Sequence, residues 1–121
     1  MLKVSEEEIR YDLSWIENLG ALGFDPIAKI SNLKSVSYRT HPWTTEVLRG
    51  IRAPGTGFPF LIMLGTMRYW RGKDFCVVYK RRPVLMLEFQ NEKYNRWIIP
   101  AAKENRDLLQ SFGFHITDYV S

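Results

Sequence analysis

Short apolar segments alternate with short polar linkers over residues 61–99, and this pattern constrains the fold more than any other feature of the chain. Such regular spacing predicts successive β-strands. The predicted strands are Leu61–Trp70, Asp74–Tyr79, Val84–Gln90 and Arg96–Ile99. Their linkers are short enough for antiparallel hairpins. In the third strand, Leu85, Leu87 and Phe89 share one face, so one side of the predicted sheet faces the core.

The region before these strands has a weaker pattern. Residues 8–14 alternate between apolar and polar side chains, which predicts a strand followed by a short helix from Trp15 to Leu22. The apolar residues of 8–22 also fit helical spacing, so a single helix remains the alternative. A second strand is predicted over Ile27–Tyr38, with a kink at Ser31-Asn32.

The C-terminal part predicts one helix. Pro100 is suited to the first turn, and Leu108, Leu109 and Phe112 form an apolar stripe. Gly113 is placed as a C-terminal cap. The tail 114–121 is mildly apolar and is predicted to be an extra strand.

A glycine- and proline-rich segment, residues 49–59, interrupts the predicted strands. Its eleven residues include three Gly and two Pro, which a helix cannot sustain. Pro54-Gly55 is typical of a type II turn, because Pro fixes φ and Gly adopts positive φ. The segment is therefore predicted to be a long structured loop.

Charge is distributed unevenly. The chain has a net charge of +4, but residues 29–82 contain eleven Lys or Arg against two acidic residues, which gives +9 there and −5 elsewhere. Clustered cations attract anionic partners such as nucleic acid, lipid head groups or acidic protein surfaces. The alternative is that these side chains are scattered and only solvate several strands.

Composition and motifs exclude several classes. A chain of 121 residues fits a single domain, 1–121, and its average composition excludes a collagen or a coiled coil. The single Cys lies in an apolar strand and is predicted to be packed, while the two His are 74 residues apart, so no metal or cofactor is predicted. The longest apolar run, Phe58–Leu64, is too short to span a membrane. The acidic residues 6–8 do not fit a signal peptide, so a cytoplasmic location is predicted.

No catalytic motif emerges. The glycines at 55 and 57 lead into Phe58-Pro59 and a strand rather than into Gly-Lys-Ser/Thr and a helix, which excludes a nucleotide P-loop. No Ser or Cys has the surroundings of an activated nucleophile. Asp74 and Glu88 are a weak carboxylate pair without supporting spacing. The sequence predicts no catalytic residues and no enzyme.

The run Arg49 to Thr56, together with Gly72-Lys73-Asp74-Phe75 and the segment 92–96, resembles a family of small uncharacterised bacterial proteins similar to bacterial pleckstrin-homology-like (PH-like) domains. The resemblance covers roughly residues 8–112, and its specific part is 48–75. It implies a mainly β fold: two near-orthogonal antiparallel sheets of six or seven strands, arranged as a barrel or sandwich and capped by a C-terminal helix. The same element order follows independently from the predicted strands and helix.

The leading interpretation is a non-catalytic binding module that recognises a protein or an anionic lipid head group. If the ligand is a lipid, the protein would lie peripherally at the membrane. Arg49 and Arg52 would contact the acidic group. Pro54, Gly55 and Thr56 would shape the loop, and Phe58 and Phe60 would anchor it in an apolar groove or membrane interface, although these residues also suit a turn and a core.

Binding of RNA or single-stranded nucleic acid is the second interpretation. Aromatic residues of the predicted strands are interleaved with basic residues, and such surfaces stack bases and hold phosphates. The basic residues are Arg68, Arg71, Lys73 and Lys80. The aromatic residues concerned are Tyr69, Trp70, Phe75, Tyr79 and Trp97. Their order lacks the pattern of an RNA-recognition strand, and packing alone also favours aromatics in strands.

Overall fold

The computed structural model describes residues 2–12, 26–44, 47–48, 51–52, 56–58, 62–69, 71–80 and 82–119. For 51–52, 56–58, 62–65 and 119 the description covers the backbone. The strands are β1 Leu2–Val4, β2 Glu8–Tyr11, β3 Ile27–Lys29, β4 Leu33–Arg39, β5 Ile51–Arg52, β6 Thr56–Phe58, β7 Ile62–Tyr69, β8 Gly72–Tyr79, β9 Val84–Phe89, β10 Arg96–Pro100 and β11 Ile116–Tyr119. A helix, α1, spans Lys103–Ser111, and a 3-10 turn spans Ile30–Asn32.

The strands form two sheets. The smaller sheet is antiparallel with the order β1-β2-β3, and the larger has the order β11-β4-β9-β10-β8-β7-β5, with β6 also paired to β7. A mainly β fold with a C-terminal helix is therefore confirmed. The described strands outnumber the six or seven predicted, since short strands at 2–4, 51–52 and 56–58 were missed and the predicted strand 27–38 forms two strands. Among these strands β11 and β5 do not pair with each other, so the larger sheet is open.

Strand β10 corrects the prediction of a purely antiparallel sheet. It lies between β8 and β9, antiparallel to β9 and parallel to β8. The linker 80–83 is therefore not a hairpin, although the linkers 71–73 and 91–95 do join antiparallel neighbours. A second parallel pair joins β11 to β4. Helix α1 makes this pairing possible, because it carries the chain from β10 across β9 and β4 to the sheet edge.

Both faces of the central strands are buried, which agrees with the continuous apolar run of β8. On the first face, Phe75, Leu87 and Trp97 belong to the larger core cluster, and residues of the small sheet and α1 cover them. On the second face, Cys76, Met86 and Ile98 pack in a separate cluster that also contains Val47, with Trp43 and Leu48 packed against it. The packed Cys76 is confirmed, whereas the prediction that one side alone of β9 is core was incomplete.

The predicted positions of the kink and of the helix end are confirmed. The single strand predicted for 27–38 is instead two strands of different sheets, β3 and β4, separated by the 3-10 turn where the kink was expected. After α1, Gly113 has φ +89°, its N–H donates to Gln110 O, and Phe114 N–H donates to Leu109 O. This is a Schellman cap. The helix begins at Lys103 rather than at Pro100, because Pro100 is the last residue of β10.

Several other predicted elements differ from the structure in their bounds, and one lies outside the described residues. The predicted strand 8–14 is shorter, Glu8–Tyr11, and the helix predicted for 15–22 lies outside the described residues. The loop predicted for 49–59 contains β5 and β6. The predicted tail strand is confirmed as β11. Phe112, expected on the buried stripe of α1, is 44% exposed.

A buried asparagine joins α1 to the N-terminal strand. Asn105 Oδ1 accepts a hydrogen bond from Leu2 N–H at 3.2 Å, and its Nδ2 donates to Pro100 O at 3.0 Å. Asn105 is 4% exposed, so water cannot readily replace either partner. One side chain thus fixes the helix against both sheets.

Replacing Asn105 by alanine is expected to lower the free energy of unfolding by about 1–3 kcal/mol, because a buried N–H and a carbonyl lose their partner. Urea denaturation measures the loss. Gln110→Ala is the control, since Gln110 is exposed on the same helix. Equal stability of the two variants would show that these hydrogen bonds contribute nothing net.

Candidate functional site

Four cations gather at one end of the larger sheet, and we call them the cationic patch: Arg68, Arg71, Lys73 and Lys93. The β7–β8 hairpin places Arg68 directly opposite Lys73, with Arg71 in the turn between the strands. Lys93 comes from the turn between β9 and β10. Arg68 and Arg71 are exposed, and Lys73 is half-buried. Two hairpin turns, distant in sequence, thus bring basic side chains to one place.

The ring of Tyr94 forms the base of the cationic patch. Lys73 Nζ lies 5.4 Å from its centroid, and Lys93 Nζ lies 5.6 Å from it. Such positions allow a favourable cation–π interaction. Tyr94 is 4% exposed, and its hydroxyl lies 3.1 Å from Thr66 Oγ1. A fixed, buried ring therefore positions two ammonium groups at the surface.

Asn95 fastens the two turns together. Its N–H donates to Lys73 O at 2.9 Å, its Nδ2 donates to Tyr69 Oη at 2.6 Å, and its carbonyl accepts from Phe89 N–H at 2.9 Å. Gly72 leaves the space for this side chain, since a Cβ on Gly72 would lie 2.7 Å from Asn95 Nδ2. The backbone of the patch is consequently held from both hairpins.

Electrostatic repulsion acts within the patch. The pKa of Lys73 lies below its usual value, first because burial removes water from the ammonium group and then because Lys93 and Arg68 repel it. Like charges directly opposite each other on a sheet are destabilising. Within the described part of the chain, neither Lys73 nor Arg68 forms an ion pair with a carboxylate. An anion bound here would relieve this repulsion.

The nearest acidic side chains serve other contacts. Glu92, next to Lys93, accepts hydrogen bonds on Oε2 from Lys29 N–H at 3.1 Å and from Asn32 Nδ2 at 2.5 Å. Asp74 follows Lys73 but is fully buried, on the opposite face of β8. Glu92 is therefore engaged by other groups, and Asp74 faces away from the patch.

The loop residues predicted to bind a ligand are described in part. Arg49, Pro54, Gly55 and Phe60 lie outside the described residues. The backbones of Arg52, Thr56 and Phe58 pair with β7, at Met67, Leu64 and Ile62 respectively. Because Ile51 pairs with Arg68, this segment begins beside the cationic patch. The three remaining predicted residues, Arg68, Arg71 and Lys73, all belong to the patch.

The aromatic surface predicted for base stacking is largely absent from the described residues. Phe75 and Trp97 are 2% and 1% exposed and belong to the core, so their rings cannot stack on a base. Tyr69 and Tyr79 are half-buried, and Trp70 lies outside the described residues. The strand propensity of aromatic residues, rather than ligand binding, explains Phe75 and Trp97.

The two carboxylates considered for catalysis are not neighbours. Arg96 on β10 lies in register with Asp74 on β8 and with Glu88 on β9, so one strand separates the carboxylates. Arg96 Nε lies 3.3 Å from Glu88 Oε1, and Ser35 Oγ donates to Glu88 Oε2 at 2.9 Å. Glu88 is therefore held in a polar row across the sheet.

The basic segment does not converge on one face. Lys80 and Arg82 lie beyond the far end of β8, roughly 20 Å along the strand from Lys73. Lys93, from outside the segment, joins the patch instead, and sequence reasoning missed it because the insertion of β10 beside β8 brings it there. Its position beside Tyr94 in a short polar linker was the only available signal.

Other functional classes find no support in the described residues. No group of three or more potential metal ligands occurs among them, and no helix among them has the length and apolar character needed to cross a membrane. Comparison with protein-family models, curated proteins and solved structures gives no match for this chain. The inference of function therefore depends on the cationic patch itself.

Proposed function

We propose that the protein is a non-catalytic, cytoplasmic binding module that recognises an anionic group, with the phosphate of a membrane lipid as its ligand. The observation that carries this proposal is the pairing of Arg68 with Lys73, whose ammonium group lies over Tyr94, without an ion pair to a carboxylate of the described residues. Guanidinium and ammonium groups together suit phosphate oxygens, since Arg supplies a planar fork of donors and Lys a point charge.

The location of the patch favours a surface ligand. Exposed cations at a hairpin end can approach a membrane without any rearrangement, and the glycine- and proline-rich segment begins beside them at β5. Arg49 and Arg52 would extend the cationic surface, and Phe58 and Phe60 would enter the membrane interface. A PH-like fold, supported by two sheets and a C-terminal helix, would present such a surface on its hairpins. The separation of Asp74 from Glu88 by Arg96 supports a non-catalytic role.

The double variant Arg68→Gln/Lys73→Gln is expected to bind anionic vesicles about 30-fold more weakly. Each Lys or Arg near an anionic membrane contributes about 1 kcal/mol, so two contribute about 2 kcal/mol. Co-sedimentation would use phosphatidylcholine vesicles with phosphatidylserine, and phosphatidylcholine alone as reference. Raising the salt concentration should weaken wild-type binding.

The matched control is Lys80→Gln/Arg82→Gln, which also removes one Lys and one Arg charge, but beyond the far end of β8. It should bind with nearly wild-type affinity. If both double variants lose the same affinity, net charge rather than the patch governs binding. If wild type does not prefer vesicles containing phosphatidylserine, the lipid ligand is wrong.

Nucleic-acid binding is the alternative, since the same exposed cations suit a phosphate backbone. With Phe75 and Trp97 in the core, this binding would depend on phosphates and fall steeply with salt. Titration with single-stranded RNA and DNA tests it: tight binding that the Arg68→Gln/Lys73→Gln variant loses, together with indifference to anionic vesicles, would replace the lipid proposal.

A further inference from the structure

Lys73 has surroundings that differ from those of a solvated surface lysine. Its ammonium group lies against the Tyr94 ring at one side, and Arg68 faces it from β7. Lys93 approaches the same ring from the β9–β10 turn. Because both Nζ atoms lie within 5.6 Å of one centroid, the two amines are separated by at most about twice that distance.

Burial and the neighbouring cations favour nucleophilic chemistry at the amine, and they act against the Tyr94 ring, which favours the charged form. A lysine attacks electrophiles only in its neutral form, and lysines that are desolvated or next to another cation are activated in this way. Burial, Lys93 and Arg68 lower the pKa of Lys73, so its neutral fraction at a given pH is larger than that of a lysine with the usual pKa. The half-buried side chain remains partly accessible to a small reagent.

The same cations would collect anionic reagents around the amine. Arg68 and Lys93 lie near Lys73, and Arg71 is exposed in the adjacent turn. Clustered charge of one sign raises the local concentration of oppositely charged molecules. An acyl phosphate combines an anionic phosphate with an electrophilic carbonyl carbon. Its phosphate would occupy the cationic surface while its carbonyl approaches Lys73 Nζ.

We propose that Lys73 is a site of acylation by acyl phosphates. The neutral amine attacks the carbonyl carbon, a C–N bond forms, and the bond between that carbon and the bridging oxygen of the mixed anhydride breaks. Inorganic phosphate leaves with the electron pair, and the amine proton passes to water. The product is an uncharged amide, and because the acyl carbon keeps its oxidation state, no oxidant or reductant is required.

Acylation would also regulate the patch, and this consequence rests on the proposed function. Converting Lys73 to an amide removes one positive charge, and a single charge near an anionic membrane contributes about 1 kcal/mol. Binding to phosphatidylserine vesicles would weaken about fivefold. A bound anion would in turn raise the pKa of Lys73 and reduce its reactivity.

The test treats the whole protein with acetyl phosphate and measures acetylation of each lysine by peptide mass spectrometry. Lys73 is expected to react about tenfold faster than the exposed Lys80. Arg68→Gln should reduce this preference, whereas Arg82→Gln, a matched loss of charge at the far end of β8, should not. A neutral reagent, N-acetoxysuccinimide, should show a much smaller dependence on Arg68. Reaction of Lys73 no faster than that of Lys80 with acetyl phosphate overturns the proposal.

Vesicle binding by Lys73→Gln separates this inference from the proposed function. Selective acetylation with unchanged vesicle binding would retain the acylation site and reject the lipid-binding role of Lys73. Loss of vesicle binding without selective acetylation would retain the lipid-binding role of Lys73 and reject the acylation site.

Discussion

Replacing Trp97 by alanine is expected to lower the free energy of unfolding by about 3–5 kcal/mol. Trp97 is 1% exposed on β10, and its ring centroid lies 4.8 Å from that of Phe89 and 6.4 Å from that of Phe75. Removing the indole leaves a cavity where β8, β9 and β10 meet. Native proteins are stable by about 5–15 kcal/mol, so the variant would be close to unfolding. Urea denaturation followed by far-UV circular dichroism measures the change.

Phe112→Ala is the control for this prediction, because Phe112 is an aromatic residue that is 44% exposed. Removing the Phe112 ring should lower the free energy of unfolding by much less. Trp97→Phe retains part of the ring contact and should be intermediate, which keeps the comparison measurable if the alanine variant does not fold. Equal losses from Trp97 and Phe112 would contradict the assignment of Trp97 to the core.

Gly72→Ala is expected to lower the free energy of unfolding by about 2–4 kcal/mol. Gly72 has φ +152°, which side-chain-bearing residues rarely adopt, and such strain costs about 1–3 kcal/mol. A new Cβ would also displace the Asn95 amide, because the separation would be 2.7 Å. That displacement breaks the hydrogen bond from Asn95 to Tyr69, a further loss of about 1 kcal/mol. Chemical denaturation gives the stability, and vesicle binding reports the patch.

Gly113→Ala provides the matched comparison. Gly113 also has positive φ, +89°, but a Cβ there meets nothing within 4 Å among the described residues. This variant should lose about 1 kcal/mol from backbone strain alone and bind vesicles normally. A loss at Gly113 as large as that at Gly72 would show that the Asn95 contact has no energetic role.

Local signals in the sequence predicted much of the fold. The alternation of Leu85, Leu87 and Phe89 identified a buried face of β9, and Gly113 identified the end of α1. These features depend on residues that are close along the chain, so the local pattern of side chains predicts them. Strand order depends on distant neighbours instead. Consecutive strands are adjacent roughly two-thirds of the time, so the expectation that β8 pairs with β9 was reasonable and wrong.

The candidate site was likewise predictable only where its residues are close together in the sequence. Arg68, Arg71 and Lys73 are close in sequence, so one hairpin sufficed to group them. Lys93 joins them only because β10 inserts beside β8. Lys80 and Arg82 lie far from them because β8 is eight residues long and they follow its far end. Burial of Phe75 and Trp97 could not be read from composition, because core packing and base stacking both use aromatic strand residues.

The insertion of β10 also sets an order of assembly. Strands β7 and β8 can pair as soon as they exist, and β4 can pair with β9, but these two parts have no common strand until Arg96–Pro100 is available. A chain ending before Arg96 would therefore present two open strand edges, on β8 and on β9, with apolar residues on both faces. Exposed edges of this kind promote aggregation. During synthesis, the segment that begins at Arg96 converts two aggregation-prone half-sheets into one continuous sheet.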